Sequence, residues 1–104
     1  MDEFEWDPDK AEENIRKHKV EFSTASRIWE GVVLEQDDTR YDYGESRLQA
    51  LGEVDGRLMV VVFTWRGTAR RIISARKANP REKRRFEAQV RRRNEESPDG
   101  LDRI

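Results

Sequence analysis

The chain of 104 residues contains no cysteine, a single histidine and no long apolar run. The absence of cysteine excludes a disulfide framework, a thiolate metal site and a cysteine nucleophile, and one histidine excludes any site that needs two. The longest apolar stretch, from Leu58 to Phe63, is far too short to cross a bilayer. The acidic N-terminus differs from the basic and then apolar start of a signal peptide. These absences predict a soluble, cytoplasmic protein.

Several kinds of catalytic motif are also missing. The six glycines stand singly at turns, so no glycine-rich phosphate loop is present. The acidic residues are scattered rather than paired at ligand spacing, and the sequence therefore predicts neither a metal site nor a cofactor. No nucleophile elbow of the hydrolase type occurs. What remains available is a metal-free site built from arginine, lysine and the one histidine.

Charge is abundant but unevenly distributed. Charged residues make up 41% of the chain and balance to a net charge of -1. Residues 1–56 carry 16 acidic and 7 basic residues, whereas residues 57–94 carry 13 basic residues against two acids. A basic half in a small domain indicates a polyanionic ligand, most commonly nucleic acid. Two alternatives stay open: the acidic half neutralises the basic half within the fold, or an acidic protein partner covers it until it is needed.

The hydrophobic periodicity predicts one α+β domain over residues 1–94, followed by a flexible polar tail at 95–104. We expect a small antiparallel sheet of three or four strands plus a short N-terminal strand, two N-terminal helices and one C-terminal helix, with the helices on one side. The predicted elements are a strand at 4–6, a helix at 8–17, a helix capped by Ser23 that stops at Gly31, strands beginning at 32 and spanning 46–54, 58–65 and 68–77, and a helix from Pro80.

Local signals place three of these boundaries. Asp7 before Pro8 is typical of a helix N-terminus, with the aspartate as N-cap. Asp55-Gly56 predicts a tight hairpin turn. Asn79 and Glu82 stand at the spacing of a capping box, in which each side chain bonds the backbone of the other.

A metal-free cluster of cations suits cleavage of RNA, because RNA carries its own nucleophile, the 2′-hydroxyl. The protein must remove its proton, hold the phosphate in line and offset the charge of the transition state. Arg76 is a candidate for the last task, since a guanidinium stays ionised and binds phosphate oxygens in pairs; the alternative is an ion pair to the acidic half. Lys17 and His18 end the first helix, where His18 is either a general base or a C-terminal cap.

Other residues are candidates for binding RNA. Trp65 ends the central strand and either stacks on a base or belongs to the core. Strict alternation along 68–77 places Arg70, Ile72, Ser74 and Arg76 on one face of the sheet. The last helix contributes basic residues that either steer phosphate or form a solvated surface; they are Arg81, Arg84 and Arg85.

Several stretches resemble the BrnT-type toxins, in the order that the family has them. They are Phe4–Pro8, Lys10-Ala11, Asn14–His18, Glu45–Arg47 leading to Leu51-Gly52, Arg71–Ala78, and Arg81-Glu82 leading to Phe86-Glu87. The resemblance spans about residues 4–87. It implies a RelE-like fold and a metal-independent endoribonuclease, the growth-arresting toxin of a bacterial type II toxin–antitoxin pair.

The resemblance also implies partners and site residues. It implies inhibition by a BrnA-type antitoxin, a DNA-binding protein that assembles with the toxin two to two and supplies the operator DNA contacts. The active-site residues it implies are Lys17, His18, Arg76, Arg81 and Glu82, with Glu82 equally a capping residue.

The chain departs from the family pattern at two positions. Lys19 stands where the family has a helix-ending glycine, and Phe86 where it often has tyrosine. These departures keep open a degenerate toxin, that is, a non-catalytic module that binds nucleic acid or the antitoxin.

Overall fold

The computed structural model describes residues 3–40 and 44–96, which form a sheet with helices on both faces. The elements are β1 Glu3–Glu5, α1 Pro8–His18, α2 Phe22–Ala25, a 3₁₀ helix Ser26–Glu30, β2 Leu34–Asp37, β3 Leu48–Val54, β4 Arg57–Arg66, β5 Ala69–Lys77 and α3 Pro80–Glu96. The strand order is β1-β5-β4-β3-β2. β1 pairs in parallel with β5, and the other neighbours are antiparallel.

The predicted α+β class is confirmed, but two features of the predicted architecture are wrong. The predicted short N-terminal strand is present as β1, but it joins the sheet in parallel along the edge of β5, with Glu3 opposite Ala69, so the sheet is mixed and five-stranded rather than antiparallel with three or four strands. The helices do not share one side: α1, α2 and the 3₁₀ helix cover one face, and α3 lies on the other. The reason is that β4 is apolar on both faces, so both faces need cover.

Two clusters of buried side chains hold these layers together. The first, which we call the first core, lies between the N-terminal helices and the sheet and includes Phe22, Ile28 and Phe63. The second is smaller and lies under α3, where Phe86 is 7% exposed and Val90 is half-buried. α3 is therefore attached by a narrow apolar seam and exposes most of its basic residues.

Local boundaries differ from the predictions around the second helix. α2 begins at Phe22, and its N-cap is Glu21 rather than the predicted Ser23. Phe22 is buried in the first core, and this packing places it inside the helix instead of before it. Gly31 does follow the 3₁₀ helix. β2 begins at Leu34 rather than at residue 32, and Val32 is exposed.

Glycine is required at two positions, Gly52 within β3 and Gly56 in the turn that follows it. A Cβ on Gly52 would lie 2.7 Å from Cβ of Ile28, so only glycine lets the 3₁₀ helix pack this closely on the strand. Asp55 and Gly56 have φ angles of 51° and 81°, which is the geometry of a two-residue hairpin between β3 and β4.

A β-bulge at Ile73 changes which side chains of β5 share a face. Val62 lies opposite Ser74, whereas Phe63 lies opposite Ile72, so Ile73 is an extra residue. As a consequence Ile72 and Ala75 both enter the first core. The prediction that Arg70, Ile72, Ser74 and Arg76 share a face is wrong: Arg70 lies on the face of the first core and Arg76 on the face of α3.

α1 ends with a left-handed residue. Lys19 has φ 60° and ψ 32°, and its N–H donates to the Ile15 carbonyl at 2.9 Å. A Cβ in this conformation costs about 1 kcal/mol, which glycine avoids.

We expect Lys19→Gly to raise the free energy of unfolding by about 1 kcal/mol, measured by urea denaturation followed by circular dichroism. The matched control is Lys17→Gly, inside the same helix, which should lower it by about 1 kcal/mol. A destabilised Lys19→Gly protein would show that the side chain of Lys19 contributes more than its backbone costs.

α3 extends to Glu96, beyond residue 95 where the polar tail is predicted to begin. The remaining tail residues, 97–104, lie outside the described residues. No helix in the described ranges combines the length and the apolar character that crossing a membrane requires.

Candidate active site

Arg76 and Glu82 form a two-pronged ion pair on the α3 face of the sheet. Nη1 of Arg76 donates to Oε1 of Glu82 and Nη2 donates to Oε2, each at 2.8 Å. Arg76 lies opposite Val60 near the end of β5, and Glu82 lies in the first turn of α3. The short connection between these elements brings the two side chains together.

A capping box fixes the carboxylate of Glu82. The Asn79 N–H donates to Oε1 of Glu82 at 2.9 Å, and the Glu82 N–H donates to Oδ1 of Asn79 at 2.8 Å. This is the reciprocal arrangement that an Asn-x-x-Glu sequence forms at a helix start. The carboxylate therefore accepts three hydrogen bonds and has one defined orientation.

Both members of the pair stay ionised. The hydrogen bonds from Arg76 hold the pKa of Glu82 below its ordinary value, against the opposing effect of burial. The Asn79 N–H and the charges of Arg76 and Arg85 act in the same direction as those bonds. Glu82 in turn raises the pKa of Arg76. The site thus holds a fixed cation and a fixed carboxylate in contact.

The pair should make stability depend on pH. Because the folded-state pKa of Glu82 lies below its ordinary value of 4.5, its stabilising effect is fully present above that pH and is lost as the pH falls through the folded-state pKa. We expect Glu82→Gln to lower the free energy of unfolding by about 1 kcal/mol at pH 7, and to lose less stability than the parent on acidification below pH 4.5.

Urea denaturation at neutral and acid pH measures this difference. The matched control is Glu87→Gln on the exposed surface of the same helix, which should follow the parent protein at both pH values. Parallel curves for the parent and Glu82→Gln would show that the ion pair does not couple folding to pH.

Two further guanidinium groups flank the pair. The charge of Arg40 lowers the pKa of Arg76, and Arg85 acts on Glu82 and donates to Oε1 of Gln36. Arg40 binds both carboxylate oxygens of Asp38 at 2.8 and 3.0 Å, and the side chain of Asp38 is fully buried. We call Arg40, Arg76, Glu82 and Arg85 the α3-face cluster.

Nothing in the sequence marks Arg40 or Asp38, which lie between the predicted strand that begins at 32 and the one that spans 46–54. An Asp followed two residues later by Arg is too common to be informative. Only the fold shows that the Asp38 N–H donates to the Arg47 carbonyl at 2.8 Å and that its side chain is enclosed. In the described parts of the chain, no three His, Asp or Glu side chains are grouped as a metal would require.

The α3-face cluster is suited to a phosphate. A phosphate presents two oxygens to a guanidinium in the same way that the Glu82 carboxylate does, so it competes with Glu82 for Arg76. Arg40 and Arg85 add positive charge, and Arg81 and Arg84 lie exposed on the same helix. The cluster therefore places a cation whose geometry suits phosphate next to a carboxylate that is able to accept a proton.

Lys17 and His18 lie elsewhere. They are exposed at the C-terminal end of α1, and Nζ of Lys17 is 3.7 Å from Oε1 of Glu13. α1 packs on the face of the first core, whereas Arg76 faces α3, so the sheet stands between these candidates and the α3-face cluster.

Trp65 and Arg70 are brought together with each other and not with Arg76. The guanidinium carbon of Arg70 lies 4.7 Å from the ring centroid of Trp65 and 4.6 Å from that of Trp29. Nη2 of Arg70 also lies 3.8 Å from Oε2 of Glu35. Arg70 is thus one layer of an aromatic stack on the face of the first core.

Comparison with known proteins agrees with the fold. The family model described as ribonuclease toxin, BrnT, of type II toxin-antitoxin system matches residues 6–82, a range that includes both Arg76 and Glu82. The 1.1 Å crystal structure of the Brucella abortus ribonuclease toxin BrnT is similar, with 30% sequence identity and a TM-score of 0.57 over 76% of this chain and 99% of that one. No curated protein sequence matches the chain. The chain belongs to the BrnT family of ribonuclease toxins of type II toxin–antitoxin systems.

Proposed function

We propose that the chain is a metal-independent endoribonuclease whose catalytic centre is the α3-face cluster. The observation that carries this proposal is the two-pronged contact of Arg76 with Glu82 at 2.8 Å. It fixes a cation that can bind a phosphate next to a carboxylate that can accept a proton. Acting on cytoplasmic RNA, such an enzyme arrests growth.

The reaction uses the nucleophile of the substrate. The 2′-oxygen forms a bond to the adjacent phosphorus while its proton passes to Glu82, and the bond from phosphorus to the 5′-oxygen breaks. The departing oxygen takes a proton from solvent. The products are a 2′,3′-cyclic phosphate and a 5′-hydroxyl. Arg76 donates both N–H groups to the phosphate oxygens and offsets their charge in the transition state.

Phosphate binding activates the proton acceptor. When a phosphate takes both N–H groups of Arg76, Glu82 loses the contact that does most to hold its pKa down. A carboxylate with a higher pKa is a better base for the 2′-hydroxyl. The exchange of one anion for another on Arg76 therefore couples binding to catalysis.

The exposed basic residues of α3, Arg81 and Arg84 together with Arg85, attract the RNA backbone and hold it near the cluster. The alternative proton acceptor is His18, which lies next to Lys17 at the end of α1. The partner of the toxin is a BrnA-type antitoxin, in an assembly of two copies each, with the operator DNA bound by the antitoxin.

A non-catalytic module that binds nucleic acid is the second candidate. The same ion pair favours this candidate. A guanidinium that donates both N–H groups to one carboxylate, as Arg76 does to Glu82, also occurs in contacts that only stabilise a fold. The two candidates differ in whether bound RNA is cleaved.

Incubation of purified protein with long transcripts, with and without millimolar EDTA, tests the proposal. We expect equal cleavage in both, and growth arrest when the protein is produced without antitoxin. Cleavage that EDTA abolishes would contradict the metal-free mechanism. Salt-dependent binding with the RNA left intact would identify the non-catalytic module.

A further inference from the structure

The ring of Trp65 is supported from beneath by a layered stack on the face opposite the α3-face cluster. The Arg70 guanidinium lies between the rings of Trp65 and Trp29, at 4.7 and 4.6 Å from their centroids. Phe63 packs edge-on against both rings, with centroids 5.7 and 5.2 Å away. These contacts fix the plane of the Trp65 ring.

Glu35 anchors the inner layers. Its Oε2 accepts a hydrogen bond from Nε1 of Trp29 at 2.9 Å and lies 3.8 Å from Nη2 of Arg70. The side chain of Arg70 is only 14% exposed, so a charged group is held under the outer ring instead of reaching into water. A buried cation in such a place is costly unless its contacts are good.

The outer ring remains open to solvent. Trp65 is 45% exposed, and Arg70 covers one face of its ring, so solvent reaches the ring from the opposite face and from its edges. Tryptophan in a strand normally buries its ring. Here the ring is flat, orientated in advance and available on one side.

We propose that the outer face of Trp65 is a stacking platform for a base of single-stranded RNA. Stacking needs one flat aromatic face and tolerates any base, and the rigid support means that little freedom is lost on binding. The Arg70 cation beneath the ring suits a polyanionic chain.

A protein partner fits this surface less well. Protein hot spots lie within wider apolar surroundings, whereas the other large exposed apolar side chains in the described ranges are Ile15 on α1 and Val32 ahead of β2.

The platform lies away from the reacting groups. Arg70 and Arg76 lie on opposite faces of β5, and their partners Trp65 and Val60 are five residues apart on β4, a separation of about 17 Å along the strand. Stacking on Trp65 should therefore strengthen RNA binding without changing the chemical step. The inference rests on the proposed function only in taking RNA as the ligand.

Binding of a 12-nucleotide 2′-O-methyl oligouridine, followed by fluorescence anisotropy, tests the platform, because this RNA has no 2′-hydroxyl to react. The comparison probe is an abasic oligonucleotide of the same length and charge. We expect Trp65→Leu to bind the oligouridine about tenfold more weakly and the abasic probe unchanged, with Trp65→Phe close to the parent. Ile15→Ala, at another exposed apolar position, should change neither affinity.

The following outcomes would contradict the proposal that Trp65 is a stacking platform. An equal loss for both probes, no loss for either, or no binding of the oligouridine by the parent would do so. So would a Trp65→Leu protein that binds RNA normally but no longer binds its antitoxin. Failure of the platform is distinguishable from failure of the proposed function, since cleavage of an unmodified transcript by Trp65→Leu at saturating RNA reports the chemistry separately.

Discussion

Replacing Arg76 with alanine is expected to slow RNA cleavage by about 10²–10³-fold with the fold retained. The guanidinium supplies two aligned donors to the phosphate oxygens, where charge increases in the transition state. Its side chain is 35% exposed and lies at the end of β5, so its removal leaves no core cavity. Initial rates of cleavage, together with the circular dichroism spectrum of the variant, measure both effects.

Three variants show which property of the pair is used. Arg76→Lys keeps the charge but loses the planar fork, and should recover little of the rate. Glu82→Gln removes the proton acceptor and should slow cleavage by about 10²–10⁴-fold. His18→Ala should leave the rate unchanged. The reverse pattern, a large loss in His18→Ala and none in Glu82→Gln, would place the proton acceptor at the end of α1.

Replacing Asn14 with alanine is expected to lower the free energy of unfolding by about 3 kcal/mol. Asn14 is 5% exposed. Its Nδ2 donates to the carbonyls of Val20 and Ala75, both at 2.9 Å, and its Oδ1 accepts from the Ala75 N–H at 3.1 Å. β1 pairs with β5 only as far as Arg71, so the amide of Asn14 takes the place of a strand further along this edge.

Thermal unfolding should show a fall in Tm of more than about 10 °C for Asn14→Ala. Asn14→Asp keeps the bond from Ala75 but loses both donations and buries a charge, so it should be at least as unstable. Glu13→Ala, at the exposed neighbouring position, should stay within about 0.5 kcal/mol of the parent. A small effect of Asn14→Ala would mean that α1 is held to β5 by apolar packing alone.

The parts of the fold that depend on short-range patterns could be predicted. The capping pair Asn79 and Glu82 and the hairpin at Asp55-Gly56 rest on chemistry within four residues, and the structure has both. The continuous apolar run of β4 also predicts burial on both faces. A strand that is apolar on both faces needs helices on both sides of the sheet to cover it.

The rest depends on pairings between distant segments. Alternation along β5 is broken at Ile73, where one extra residue faces β4, and no local pattern announces a bulge. That single residue places Arg70, predicted to bind RNA, and Arg76, predicted to be catalytic, on opposite faces of the sheet. The contribution of Arg40 likewise depends on the enclosure of Asp38, which is a property of the finished fold.

The chemical identity of the cleaved ends is the measurement that decides the mechanism. An RNA oligonucleotide cleaved in EDTA should yield a 2′,3′-cyclic phosphate and a 5′-hydroxyl, and a single 2′-deoxy substitution at the cleaved position should stop the reaction there. A 5′-phosphate product, or undiminished cleavage at the 2′-deoxy position, would contradict catalysis through the 2′-hydroxyl by Arg76 and Glu82.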